Sequence, residues 1–262
     1  MNWWGKIIGG TFGYLIGGPL GAMFGAAVGH NFDQGLRGAA TDSHTSWHRQ
    51  ERVQTAFFTA TFSIMGHVCK ADGRVSDSEI AIARQIMEQM NLSPDQKRAA
   101  MALFDQGKSD GFPVDDVLQQ ARQEIGYQPN LIRMFIEIQL YAAYADGVMH
   151  AREKRLLLRV CAAFGLSHRE FEILAAAIRG ETHHQRAAPK GAPPLKDAYA
   201  ILGITTGATD AEVKKAYRRL MSQHHPDKLV SKGLPEEMMK LAGQRTHEIR
   251  QAYVRIKEER GF

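Results

Sequence analysis

The sequence predicts an all-α chain in three parts: a single transmembrane helix, a helical domain built from a duplicated unit, and a C-terminal helical hairpin. Three observations predict it. Apolar residues at helical spacing, opened by serine and threonine start signals, recur from about residue 52 to the end. A shift of 74 residues lays one half of the middle region on the other. An uncharged stretch near the amino terminus is long enough to cross a bilayer. The 262 residues are 44% hydrophobic and 23% charged, which excludes both a disordered chain and a multi-span membrane protein. Cys69 and Cys161 stand alone in helical segments, so no disulfide framework or thiolate cage is on offer and a reducing compartment fits. The net charge of +5, from 33 basic and 28 acidic residues, is too small an excess to select a nucleic acid or membrane partner by itself.

Residues 1–31 read as the anchor. Between Lys6 and Asp33 no side chain carries a full charge, and the segment from Ile7 to Gly29 makes a helix of roughly 34 Å. Gly5, Gly9, Gly13, Gly17, Gly21, Gly25 and Gly29 recur at every fourth position and stack on one helix face. In lipid such a stripe lets two backbones approach, so a homodimer through Gly9, Gly13, Gly17, Gly21 and Gly25 is expected. A cleaved secretory signal competes for the same residues, but a peptide destined for removal has no use for glycines in register. A glycine-rich helix buried in a soluble domain is disfavoured by propensity. Lys6 and the amino terminus on one side roughly balance Arg37 and Arg49 on the other, so charge does not orient the span. Residues 32–51 read as a polar juxtamembrane linker.

Residues 52–180 form the middle domain. The shift places Ala71-Asp72-Gly73 on Ala145-Asp146-Gly147, Glu79 on Glu153 and Leu92-Ser93 on Leu166-Ser167, with Ile82 on Leu156 and Ile86 on Val160. Each copy reads as helix, Asp-Gly turn, helix, Leu-Ser turn, helix, and a further helix at about 113–124 lies between the copies. Ser76 with Glu79, Ser93 with Gln96 and Ser167 with Glu170 are capping boxes, and Pro94 holds a first helical position. Phe57, Phe58, Thr61, Phe62 and Met65 give the first helix an apolar face, matched by Leu131, Ile132, Phe135 and Ile136 in the second copy, and the two faces are expected to pack together.

Asp72 with Glu79, and Asp146 with Glu153, place a turn carboxylate and a helix carboxylate close enough to share a hard cation. Asp before Gly is also ordinary turn chemistry and a Glu at the third helical position is a cap, so no metal is assigned. With this turn-and-helix pattern, about residues 52–179 resemble the tellurite-resistance TerB-like helical domain.

Residues 181–196 read as a linker rich in proline, alanine and glycine. Beyond it, residues 197–262 carry Asp197-Ala198-Tyr199-Ala200-Ile201-Leu202-Gly203, a Thr209 to Glu212 capping box opening a helix to about His224, then His225-Pro226-Asp227, then a helix from Pro235 to about Glu258. Pro226 stiffens the loop, while His225 and Asp227 offer a donor and an acceptor. Lys214 with Arg218, and Lys215 with Arg219, pair at helical spacing and give the preceding helix a basic flank.

Taken in order, Lys215-Ala216-Tyr217-Arg218-Arg219-Leu220, the His-Pro-Asp loop and Glu248-Ile249-Arg250-Gln251-Ala252-Tyr253 resemble the J domain of DnaJ-type co-chaperones. The resemblance implies that Lys214, Lys215, Arg218 and Arg219 meet an acidic surface of a DnaK-type chaperone ATPase and that His225, Pro226 and Asp227 trigger its ATP hydrolysis. It implies no enzyme activity and no cofactor of the chain's own, and no phosphate-binding glycine loop occurs in the sequence. Two departures stand out. Thr246 sits where J domains usually place an aromatic core residue, so packing there must be completed differently, with the methionines as candidates, and the family's fourth short helix is expected to be missing or rudimentary. The doublets His224-His225 and His183-His184 lack a convincing ligand set and are assigned no metal.

Anchor, duplicated domain and J domain in that order resemble the membrane-anchored DnaJ-like co-chaperones of Gram-negative bacteria. That resemblance implies a single-pass inner-membrane protein in contact with membrane lipid, with a short periplasmic amino terminus and the bulk in the cytoplasm, acting in stress response, envelope signalling and capsule synthesis. The competing function class is a metal- or stress-sensing TerB-like membrane protein. Nucleic-acid binding would rest on the basic helix at 212–224 alone and is not assigned.

Overall fold

The computed structural model describes residues 42–71, 77–90, 92–187, 193–235 and 238–262, and among them every regular element is helical. The predicted glycine-striped span and the Asp72 turn lie outside the described residues, as does the Glu79 side chain. No described helix is long and apolar enough to cross a membrane. The middle domain contains α1 (Asp42–Cys69), α2 (Asp77–Gln89), α3 (Pro94–Gly107), α4 (Val114–Ile125), α5 (Pro129–Ala143), α6 (Ala151–Ala163) and α7 (His168–Ala187). The C-terminal part contains α8 (Leu195–Ile201), α9 (Asp210–Gln223), α10 (Pro226–Val230) and α11 (Met239–Arg260).

The duplication is present in the backbone. Cys69 and Ala143 end α1 and α5, Asp77 and Ala151 begin α2 and α6, and Pro94 and His168 begin α3 and α7, every pair 74 residues apart. Local chemistry sets these boundaries. Ser93 accepts from the Gln96 amide at 3.2 Å while the Gln96 side chain accepts from the Ser93 amide at 2.9 Å, and Ser167 with Glu170 repeats the exchange. Gly147 turns the chain before α6 with φ 101°, a left-handed conformation that disfavours a Cβ.

The two first helices form the spine of the core. Phe57 of α1 meets Phe135 of α5 edge to face at 6.3 Å, and Phe135 meets Phe164 at 5.4 Å. Phe57, Phe62, Phe135, Phe171, Ile64 and Met65 are fully buried, which places the two predicted apolar faces against each other. The helix α1 also packs tightly on α3. A Cβ on Gly66 would run into the Phe104 carbonyl and one on Gly107 into the Ser63 carbonyl, so this crossing requires two glycines.

In the C-terminal part, α9 and α11 pair around Val213, Leu220, Ile249, Ala252 and Ile256, with Ala198, Tyr199, Ile201 and Leu202 of α8 and its end closing the core. Tyr217 and Tyr253 stack at 4.2 Å across the hairpin. The open end is tied by Arg260, which donates to the Ala208 carbonyl at 2.6 Å, the Thr206 carbonyl at 2.8 Å and the Tyr199 hydroxyl at 2.6 Å.

Several boundaries are corrected. The helix α1 begins at Asp42, inside the expected juxtamembrane linker, because no Gly or Pro interrupts 42–51. Residues 181–187 continue α7 instead of opening the linker, since the breakers begin only at Pro189, and Leu195 already belongs to α8. The helix expected from Pro235 starts at Met239. The His-Pro-Asp segment is not all loop: Pro226 takes the first position of the five-residue α10, where its fixed φ suits a helix start. Thr246 is half-buried and its hydroxyl donates to the Gly243 carbonyl at 2.8 Å.

One finding was not expected from the sequence. Leu229, Leu234, Met238 and Ala242 belong to the core of the middle domain, each with no exposed surface. Gly233 makes the fit possible: at φ 100° it passes so close to Val53 of α1 that a Cβ there would strike the valine side chain. The segment after α9 is therefore seated in the middle-domain helices as core, and α8 lies along α7.

Candidate functional site

The helix α9 sorts its residues by period. Val213, Ala216 and Leu220 point inward and are buried, whereas Lys214, Lys215, Arg218 and Arg219 are exposed on the outer side. The Thr209 amide donates to Glu212 at 2.7 Å to open the helix. Lys214 lies 4.6 Å from the centre of the Phe262 ring, and Arg218 Nε donates to the Lys214 carbonyl at 3.3 Å. The predicted basic flank is thus a surface of four cations.

At the end of α9 the chain alternates between inside and outside. His224 is buried, His225 and Asp227 are exposed with their side chains 49% and 81% accessible, and Leu229 is buried again. His225 Nδ1 stands 4.0 Å from Asp227 Oδ2, so the donor and the acceptor face solvent side by side. Lys228 Nζ donates to Ser222 Oγ at 2.8 Å and bridges α10 back to α9. The exposed triplet is held on one side by His224 and on the other by Leu229, and both anchors are set in the middle domain.

The anchor at His224 is ionic. Its Nε2 lies 2.9 and 3.1 Å from the two carboxylate oxygens of Glu137 on α5, and its Nδ1 is 3.0 Å from the Leu220 carbonyl. A carbonyl and a carboxylate only accept, so both ring nitrogens donate and the ring is an imidazolium. Arg245 of α11 reaches Glu137 at 3.5 Å and Glu248 at 3.9 Å, and it pairs with Glu181 of α7. Tyr141 donates to Glu181 and lies 3.3 Å from Glu248. Glu137, Glu181, His224 and Arg245 are each at least 96% buried. Sequence reasoning missed this group, though two signals were present: Glu137 is the one charge in the apolar run 134–140, and Arg245 interrupts the stripe Ala242, Ile249, Ala252, Ile256 at a core position.

Of the four carboxylates considered for a cation, Asp146 and Glu153 are described, and both serve the backbone. Asp146 Oδ1 accepts from the Val148 amide at 2.9 Å, and Glu153, buried, accepts from the His150 amide at 2.7 Å as a helix cap. No group of three ligating side chains that could hold a metal occurs among the described residues.

Comparison with known proteins now bears on the arrangement. Residues 197–259 match the DnaJ domain, residues 58–176 match tellurite resistance protein TerB, and residues 1–40 match the co-chaperone DjlA transmembrane domain. The chain is 46% identical to co-chaperone protein DjlA of Coxiella burnetii, with the whole of each chain covered. It belongs to the DjlA co-chaperone family. DjlA of Photobacterium profundum is 42% identical over 99% of both chains, and that of Escherichia coli O157:H7 is 40% identical over the full length of both. No solved structure matches the chain significantly. As a DjlA-family chain it joins a transmembrane segment, a TerB-like domain and a J domain, and the segment that lay outside the described residues is accounted for by the first of these.

The buried group should make the junction of this DjlA-family chain sensitive to pH. Burial alone would raise Glu137, but His224 and then Arg245 hold it down at about 2. Burial alone would lower His224, and the Glu137 carboxylate overcomes it and raises the imidazole. Burial, then the Glu248 carboxylate and finally Glu137, push Glu181 well above the usual range. Stability from the raised His224 is complete below its ordinary 6.5 and is lost as pH rises through the folded value, whereas stability from the depressed Glu137 is present above its ordinary 4.5 and is lost as pH falls toward 2. Glu181 adds a cost that grows as pH rises above 4.5. The melting advantage of the wild type over His224→Gln should therefore shrink across a pH series that rises from 6.5, by about 2–4 °C for each kcal/mol lost. An advantage that stays constant across that series contradicts the ionic anchor.

Proposed function

We propose that this chain is a membrane-anchored regulatory co-chaperone whose J domain stimulates ATP hydrolysis by a DnaK-type chaperone. The observation that carries this reading is the solvent-facing pair His225 and Asp227, 4.0 Å apart, on a segment pinned at both ends and flanked by four exposed cations. A donor and an acceptor already fixed in place lose little conformational entropy on binding, which leaves more of the contact energy for the partner. The cations on α9 complement an acidic surface and speed encounter. ATP binds the partner alone.

The test is steady-state ATP hydrolysis by a DnaK-type chaperone with and without the full chain in detergent. A several-fold acceleration that saturates is expected, and no acceleration at saturating chain removes the reading. Reversing charge at Lys215 and Arg219 together should raise the half-saturating concentration about tenfold at low salt, and the defect should shrink as salt rises, because exposed charges are screened beyond about 8 Å at physiological ionic strength. A defect indifferent to salt argues against electrostatic docking.

The match of residues 1–40 to a transmembrane domain supports an inner-membrane anchor. Because the partner and its ATP are cytosolic, the J domain must be cytoplasmic and the short amino terminus periplasmic, where the co-chaperone serves envelope stress signalling and capsule synthesis. The glycine stripe supports a homodimer in the membrane. Leucine at Gly13, Gly17 and Gly21 together should preserve insertion but abolish crosslinking of paired anchors, since side chains larger than alanine hold the backbones apart. Crosslinking at the wild-type level in that variant would count against the stripe as an interface.

A further inference from the structure

We propose that Glu137 of the TerB-like domain is a positioning residue for the His-Pro-Asp triplet, acting through His224. The proposal rests on the reading of that triplet as the trigger, and it makes the TerB-like domain a working part of the J device.

Apolar burial already holds the two domains together. Leu229, Leu234, Met238 and Ala242 are fully buried in the TerB-like core, and Gly233 lies against Val53. Apolar contacts of this kind are strong and non-directional. A buried ion pair is a costly way to add more adhesion, because desolvating both charges consumes most of their attraction, and well-packed apolar replacements are often as stable. What the pair adds is direction. Two carboxylate oxygens at 2.9 and 3.1 Å from one ring nitrogen, with the other nitrogen on the Leu220 carbonyl at 3.0 Å, fix the ring of His224 against both α5 and its own helix.

His225 is the next residue in the chain. Holding the ring and backbone of His224 sets where α9 stops and where His225 departs, and Leu229 sets the other end one helical turn later. Among the described residues the charged groups acting on the ring are Glu137 and Arg133 on α5, and those gathered around Glu137 are Arg245 on α11 and Glu181 on α7, with Glu248 of α11 beside them. The α9 cations face away from this group and remain exposed, so docking does not cover the partner-facing side.

The test compares the full chain with Glu137→Leu/His224→Phe, which replaces the pair by apolar side chains and keeps the apolar seat. Docking is read as the distance between spin labels at Arg155 on α6 and Gln251 on α11. With docking kept, the concentration for half-maximal ATPase stimulation should be unchanged, because the cations are intact, while maximal stimulation falls about tenfold, a change of 1.4 kcal/mol in activation. A docked variant with wild-type maximal stimulation overturns the proposal. If the double variant undocks, Glu137→Gln decides: docked and several-fold lower in maximum supports the proposal, docked and undiminished overturns it. His225→Gln is measured alongside. If that variant stimulates fully, the trigger reading has failed; if it is inactive while the apolar pair is fully active, only the positioning role has failed.

Discussion

His225→Gln should reduce stimulation of a DnaK-type ATPase to the unstimulated rate while leaving the fold unchanged. The imidazole is half exposed, and the exposed Asp227 carboxylate stands 4.0 Å away. Removing it takes nothing from either core. Surface substitutions of this kind usually change stability by less than about 0.5 kcal/mol, so circular dichroism and the melting temperature should match the wild type. The effect belongs entirely to the partner, which loses a donor that the segment had placed in advance. The measurement belongs on the whole chain. Residues 197–262 by themselves would expose Leu229, Leu234, Met238 and Ala242, which the TerB-like domain covers. Full stimulation without His225, or unfolding in its absence, removes the triplet from the role of trigger.

Arg245→Ala should destabilise the protein by about 3–5 kcal/mol, the range expected when one partner of a buried ion pair is removed. The guanidinium is 4% exposed and faces carboxylates from three helices: Glu137 on α5, Glu181 on α7 and Glu248 on its own α11. Its loss takes from the ionised Glu137 one of the cations that hold it down, leaving His224 and the more distant Arg133, and removes the guanidinium from beside Glu181 and Glu248. Arg245→Lys should recover only part of the loss, because an ammonium lacks the planar fork that addresses several carboxylates at once. Urea unfolding followed by circular dichroism measures both variants. A loss below about 1 kcal/mol for the alanine variant would mean that the apolar seat alone joins the domains.

Much of the architecture is local and therefore readable. Capping residues and breakers sit within four residues of the ends they set, as Ser93 with Gln96, Ser167 with Glu170 and Thr209 with Glu212 show. The 74-residue repeat appears both as a sequence shift and as matched helix ends, since equal spacing of equal signals folds into equal units. The exposed triplet and the cations of α9 were readable for the same reason: each lies in one short stretch. At 181–187 polar residues without Gly or Pro allow a linker and a helix equally, and only the burial of Glu181 against Arg245 decides between them.

By itself the sequence determined the helices, the duplication, the glycine stripe of the amino-terminal segment and the J-domain signature, all of which rest on periods and spacings within a few turns of chain. Tertiary structure alone decided that the J domain and the TerB-like domain share a core, and that His224, one of two adjacent histidines, is the residue that turns inward. His224 and Glu137 are 87 residues apart, and nothing in the period of either helix refers to the other. Two charges become worth burying only when folding brings both to the same low-dielectric place, so their meaning is a property of the assembled junction and not of the segments that carry them.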